Sequence, residues 1–392
     1  MKKLIIYSPG AYEKRGHAFD YCRGISEEFY QLGYQVYIFG EDGPLKFPNN
    51  INEIRINNFN HLKHKRNVTQ KIKWGLNRIK KQKILSHKFI ESYLSTNDGN
   101  VLIMFETFEY FTLASIVKKL SGKYFCIFHD TNFNFNQTSL VASLYKFLCR
   151  IPSRRIIKHS RKTFVHGIEM KKNIVSQMGK EYVHKIEEIP YGAPPPIVSF
   201  ELTKGEAKKK LSLKKDKKYL LSFGTLRLDK EFLPIINALE ETNNWEWIIA
   251  GPEGDYTYSE ILELAKKKKI TSKIHTYQKF IENREQHLYF VASELAINLY
   301  KPFIRHESGT AQLARTYNKP VVVSGPDDLT NYIKSQNIGW VLSDEMKLSQ
   351  VLDVYDNLND RDKKIIHDNI YDLARKKSWP SVVKKILNSI RV

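Results

Sequence analysis

The sequence predicts an α/β protein of two Rossmann-like, doubly wound domains in series, facing a cleft. Three observations carry that expectation. Short apolar runs of strand length alternate with stretches of helical spacing, a proline-rich break interrupts them at residues 189–196, and the same rhythm resumes beyond it. Such alternation builds parallel sheets covered by helices on both faces. At 392 residues the chain is long for one core, and two domains are the natural division.

Residues 4–7 predict the first strand. A polar loop over 10–16 follows, then helical spacing through Phe19, Cys22, Ile25, Phe29 and Leu32. Gly33 ends that helix, and residues 34–39 alternate as a second strand. Residues 101–105, 124–128 and 163–165 supply further strands. The segment Ile189-Pro190-Tyr191-Gly192-Ala193-Pro194-Pro195-Pro196 fits neither a helix nor a central strand and opens a linker. A lysine-rich stretch follows over 204–218, helical in its first part. Strands are then expected at 219–223, 247–250, 274–276 and 295–299, with helices at 232–239, 261–268 and 286–292. The expected domains are 1–195, 196–375 and a closing helix over 376–392.

Composition excludes several classes. A hydrophobic content of 42% with 12% aromatics suits a globular protein. No apolar run reaches the roughly 20 residues that span a bilayer. The opening MKKLIIYSPG has too short an apolar run for a signal peptide and reads as a strand. Cys22, Cys126 and Cys149 are widely spaced, offer no metal-ligand pattern and suit a reducing compartment, so a cytoplasmic protein is expected. The net charge of +21 is uneven: residues 1–195 hold 31 Lys/Arg against 16 Asp/Glu, or +15, and the remainder holds +6. Two acid-free segments, 61–90 with ten Lys/Arg and 141–162 with seven, interleave apolar residues with the charge. Such surfaces suit an anionic membrane or another polyanion. No recognised nucleic-acid module accompanies them, and no nucleic acid is expected as partner.

Two motifs point to a phosphate. After the strand ending near Tyr300 come Ser308-Gly309-Thr310, a helical pattern through Ala311, Leu313, Ala314 and Tyr317, and Lys319-Pro320 leading into Val321-Val322-Val323. A helix start presents unpaired N–H groups and partial positive charge, which suits an anion. Gly224-Thr225-Leu226-Arg227-Leu228-Asp229-Lys230 follows the first strand of the second domain. Arg227 and Lys230, three apart on a turn entering a helix, could both reach one diphosphate, the first as a fork and the second as a point charge.

With these residues in place the chain resembles glycosyltransferase family 4, retaining enzymes of the GT-B fold that use nucleotide-sugar donors. Gly16-His17 before a helix ending in Gly33-Tyr34-Gln35-Val36 is similar to the family's glycine loop. Ile127-Phe128-His129-Asp130 resembles the segment whose histidine faces the donor sugar, and Ile189-Pro190-Tyr191-Gly192 the approach to the linker. Phe223-Gly224 through Lys230 matches the loop that holds the donor diphosphate, and Ile249-Ala250-Gly251-Pro252 a usual strand end. Leu299-Tyr300, Ser308-Gly309-Thr310 and Lys319-Pro320-Val321-Val322 resemble the donor signature. Ser378-Trp379 resembles the start of a closing helix that packs back on the first domain.

The chain also departs from the family. Where Glu-x7-Glu is frequent, counting back from Lys319-Pro320 finds Arg305 and Leu313, and counting forward from Glu307 finds Arg315. The sequence is closer to a subgroup in which Ser-Gly and a small residue replace the pair with a backbone loop. Asn318 stands where glycine is usual before Lys-Pro.

The resemblance implies a UDP- or GDP-linked sugar donor, a glycan or lipid-linked acceptor held by the first domain, no metal and no further cofactor. His129, Arg227 and Lys230 are the implied catalytic residues, with Asp130 either orienting His129 or capping the next segment. Gly16, His17, Gly224, Glu253, Tyr300, Glu307, Ser308, Gly309 and Thr310 are the implied donor contacts. Bacterial surface polysaccharide assembly would fit, in the cytoplasm or peripheral on the inner face of the membrane through segments 61–90 and 141–162. Two competing expectations are an epimerase-like nucleotide-sugar hydrolase, which would need carboxylates near the sugar, and a polyanion- or membrane-surface-binding protein on a degenerate GT-B fold.

Overall fold

The structure is a computed structural model that describes residues 2–13, 18–56, 68–95, 100–134, 140–197, 202–301, 309–325 and 327–390. It contains two compact units, Met1–Gly192 with Trp379–Val392, and Ala193–Ser378.

Unit 1 runs β1 (Lys3–Tyr7), α1 (Ala18–Gln31), β2 (Gln35–Glu41), β3 (Asn52–Ile56), α2 (Val68–Ser95), β4 (Val101–Phe105), α3 (Tyr110–Ile116) and β5 (Tyr124–Phe128). It continues through α4 (Leu140–Leu148), α5 (Arg150–His159), β6 (Thr163–His166), α6 (Ile168–Met178) and β7 (Ile186–Ile189). The strands form one parallel sheet in the order β3-β2-β1-β4-β5-β6-β7. β4 and β5 lie inside it, and VLIMF and YFCIF are buried at every position, as a strand covered on both faces demands. Side chains leave these strands alternately. Ile5, Tyr7, Ile103 and Phe105 join one core layer, and Leu4, Ile6, Leu102 and Met104 the other.

Unit 2 runs α7 (Lys204–Lys210), β8 (Lys218–Phe223), α8 (Leu233–Glu241), β9 (Trp245–Ala250), α9 (Tyr258–Lys267), β10 (Ile274–Tyr277), α10 (Asn283–Ala292) and β11 (Leu295–Asn298). It ends with α11 (Gly309–Thr316), β12 (Val321–Val323), α12 (Asp327–Gln336), β13 (Gly339–Val341), α13 (Leu348–Asn357) and α14 (Asp360–Lys376). Its parallel sheet has the order β10-β9-β8-β11-β12-β13. Thr203 and Thr257 start α7 and α9 with full capping boxes, which is why α9 begins three residues before the periodicity suggests.

The last helix, α15 (Trp379–Ile390), returns to unit 1. Trp379, Val382, Val383, Ile386, Leu387 and Ile390 are buried at helical spacing in the same layer as α1. The Trp379 indole lies against two glycines. A Cβ on Gly24 or on Gly192 would stand 2.1 Å from its ring atoms, so only glycine fits either place.

Three strands went unassigned in the sequence: β3, β7 and β13, each at the edge of its sheet. Edge strands need only one buried face, and NEIRI, IEEI and GWV lack a clear apolar run. Ile189, expected within the linker, is the last residue of β7 and pairs with His166. Asn318 is also explained. It ends α11 with φ +49°, its N–H bonding Arg315 O while Lys319 N–H bonds Ala314 O. This left-handed cap usually takes glycine, and asparagine is the side-chain-bearing residue that tolerates it best.

Candidate functional site

Each unit carries a polar cluster at the carboxyl edge of its sheet, where open α/β sheets place ligands.

In unit 2, β8 runs into a glycine loop fastened on both sides. Gly224 has φ +84° and donates to Ala250 O at 2.8 Å, and a Cβ on Gly251 would fall 2.5 Å from Gly224 O. Leu226 pairs with Glu253, and Lys230 with Tyr300. The Arg227 guanidinium forks onto Asp229, Nε to Oδ1 at 3.0 Å and Nη2 to Oδ2 at 2.5 Å, with the Arg227 side chain 46% exposed. Burial works against that charge, and the fork more than offsets it, holding the guanidinium protonated.

Lys230 differs from expectation. Its ammonium points inward, donating to Phe223 O at 3.0 Å and Gly224 O at 3.4 Å. Burial first, then the neighbouring Arg227, draws its pKa down to about 7. The turn does not enter the helix directly either, since Lys230 pairs with Tyr300 before α8 starts at Leu233.

Tyr300 is buried and serves as scaffold, its N–H donating to Ser324 Oγ at 3.1 Å. Glu253 accepts from Tyr258 N–H at 2.8 Å, anchoring the first turn of α9, and helps line a hollow of about 400 Å³ with Tyr258, Ser259, Leu262 and Lys266. Gly309 and Thr310 open α11, and the space around Gly309 is empty for 4 Å in the Cβ direction. β8 and β11 are neighbours, so the loops after them open on one edge. Arg315, found where a second glutamate would fall, is buried and donates to Tyr332 Oη at 3.0 Å. Gly16, His17, Glu307 and Ser308 lie outside the described residues.

In unit 1, His129 follows β5 and stands over the sheet edge. Its Nε2 is 2.9 Å from Glu106 Oε1, and its Nδ1 is 3.2 Å from His166 Nε2. Glu106 is fully buried and accepts from Ser8 Oγ at 2.7 Å. With Nε2 donating to the carboxylate, a neutral His129 accepts at Nδ1 from His166. Tyr21 closes edge-on over both imidazoles, and Tyr191 packs against His166. Asp130 takes the capping role. It accepts from Asn132 N–H at 2.8 Å and pairs with Lys146 at 2.6 Å, leaving Glu106 to orient His129.

Ser8, Glu106 and His166 were not singled out in the sequence. The signal was present: Ser8 and Glu106 are the first polar residues after wholly apolar strands, and His166 closes β6. The chain's Asp-x-Asp, Asp360-Arg361-Asp362, lies in the first turn of α14, where Asn359 Oδ1 accepts from Asp362 N–H at 2.8 Å. Its carboxylates favour a helix start.

No family model matches the sequence, and no curated protein does. Solved structures match the fold throughout. Sucrose-phosphate synthase from Thermosynechococcus elongatus shares 14% identity at a TM-score of 0.74, covering 100% of this chain and 98% of that one. Anabaena HepE in complex with UDP and glucose shares 12% at 0.71, covering all of both chains. WaaG, a glycosyltransferase involved in lipopolysaccharide biosynthesis, shares 15% at 0.65, covering 99% of each. Together with the two parallel sheets, this likeness shows that the chain has the α/β GT-B fold.

Proposed function

We propose that the chain is a retaining glycosyltransferase. It moves a sugar from a UDP- or GDP-linked donor to a hydroxyl of a glycan or lipid-linked acceptor, without a metal, in bacterial surface polysaccharide assembly. The observation that carries this reading is the carboxyl edge of unit 2, where a glycine loop bearing a fixed, reachable Arg227 borders the strand that leads to the start of α11. That edge suits a diphosphate: a forked cation, backbone amides and no side chain at Gly224 or Gly309 to block approach. Anabaena HepE, of the same fold, was solved with UDP and with UDP-glucose, which supports the choice of donor. The involvement of WaaG in lipopolysaccharide biosynthesis supports the choice of pathway.

In the proposed reaction the bond from the anomeric carbon to the diphosphate breaks, and a bond to the acceptor oxygen forms on the same face. The acceptor proton leaves with the diphosphate. Arg227 and the first amides of α11 meet the charge that grows on the leaving group, while Gly224 lets the diphosphate come close to the backbone. Lys230 adds a second charge when protonated. His129 is assigned to the sugar, which requires its Nδ1 to exchange the His166 contact for a sugar hydroxyl.

Thermal-shift measurement against UDP, GDP, ADP and CMP tests the donor. Selective stabilisation by one diphosphate is expected. With that nucleotide's sugar, Arg227→Ala should lower kcat/KM roughly 10²-fold, about 3 kcal/mol. No shift with any nucleotide alongside a strong shift with heparin would overturn the enzyme reading in favour of the polyanion-binding one.

A further inference from the structure

The helix pair α4–α5 is amphipathic in the wrong sense for a soluble surface. Of the nine residues of α4, LVASLYKFL, the buried one is Ser143. Its polar groups turn toward the protein, Tyr145 Oη donating to Glu109 at 2.9 Å and Lys146 pairing with Asp130. Its apolar groups turn to water. Leu140 is 73% exposed and Ile151 71%, with Leu144, Phe147 and Leu148 between 44% and 51%. The helical bonding carries through the junction, Cys149 N–H to Tyr145 O and Ser153 N–H to Cys149 O. Leu140, Leu144, Phe147 and Ile151 therefore form one stripe at spacings of four, three and four, which exposed Arg155 and Lys158 continue at four and three. Ile156 and Ile157, on the opposite side of α5, are fully buried and fix the helix to the core.

Basic charge surrounds the stripe. No acidic residue occurs between 141 and 162. Arg150 lies over the Phe147 ring at 4.7 Å. α2 touches α4, and Arg78 of α2 acts electrostatically on Cys149 at the junction. α2 brings exposed Lys80 and Lys83 with it, and exposed Leu76 adds to the apolar area. The two basic segments, far apart in sequence, thus meet on one face of unit 1.

We propose that this face docks on an anionic phospholipid bilayer, with Leu144, Phe147 and Ile151 entering the acyl boundary and Arg155, Lys158 and the α2 lysines meeting headgroup phosphates. An apolar stripe bordered by cations has this chemistry, since burial of the stripe and attraction to the charged leaflet act together. A soluble acidic partner would satisfy the charges and leave the stripe wet.

The test is co-sedimentation of the full chain, without nucleotide, with vesicles of phosphatidylcholine holding about one-third phosphatidylglycerol, against pure phosphatidylcholine. Binding to the first, at least about tenfold weaker on the second and weakened by high salt, is expected. The triple variant Leu144→Ser, Phe147→Ser, Ile151→Ser should lose roughly tenfold or more of that binding with an unchanged melting temperature, because its side chains are exposed. Arg155→Gln with Lys158→Gln should lose roughly tenfold independently. Equal binding to both vesicles, full binding by the triple variant, or binding to heparin with none to vesicles would overturn the proposal. Because nucleotide is absent, failure here leaves the donor reading untouched.

Discussion

At the scale of single residues, two buried polar groups set measurable behaviour. Lys230 needs its proton to meet a diphosphate, yet burial and Arg227 leave it titrating near pH 7 in the unliganded protein. Below pH 7 the charge is already present and affinity should be flat. Above it, binding must first protonate the lysine, so Kd for the stabilising nucleotide should rise by about tenfold from pH 7 to 8, with proton uptake visible by calorimetry in two buffers. Lys230→Met should remove that slope. Glu106 is the other group. Glu106→Ala unpairs the Ser8 hydroxyl and the His129 ring at once. At about 1–3 kcal/mol per buried polar group left unmet, urea unfolding should show a loss of roughly 3 kcal/mol. His129 and Arg227 could be picked out of the sequence because each sits in a short motif. Glu106 and His166 could not, because they meet His129 from sequence separations of 23 and 37, and only the strand order β4-β5-β6 brings them together.

At the scale of elements, central strands and amphipathic helices were legible because their burial writes a period into the sequence. Edge strands were not, since half of their surface carries no such demand. The junction of α1 with α15 shows where local propensity misleads. Gly24 lies inside a helix, where alanine is ordinarily better by about 1 kcal/mol. Here a Cβ would collide with the Trp379 indole at 2.1 Å. Gly24→Ala should therefore destabilise unit 1, by about 2 kcal/mol or more in urea unfolding. A stabilising result would mean that α15 has room to move aside. Asn318 teaches the converse: a departure from a motif at the level of letters preserves the conformation the motif requires.

At the scale of the whole molecule, two sheets with separate core layers should not unfold as one. Calorimetry is expected to resolve two transitions, and the nucleotide that binds should raise the one belonging to unit 2. Gly24→Ala should lower the other. The return of α15 carries a further consequence. Unit 1 is built from both ends of the sequence, with the whole of unit 2 between them. A ribosome delivers Trp379 and the apolar face behind it only after unit 2 has emerged. Until then Ile25, Phe29 and Ile189 face water on a nascent unit 1, and Gly24 and Gly192 hold open a slot for an indole not yet made. During that interval the growing chain presents a chaperone-binding surface, so an arrest of translation before residue 379 should leave unit 1 protease-sensitive while unit 2 has all the residues it needs to fold.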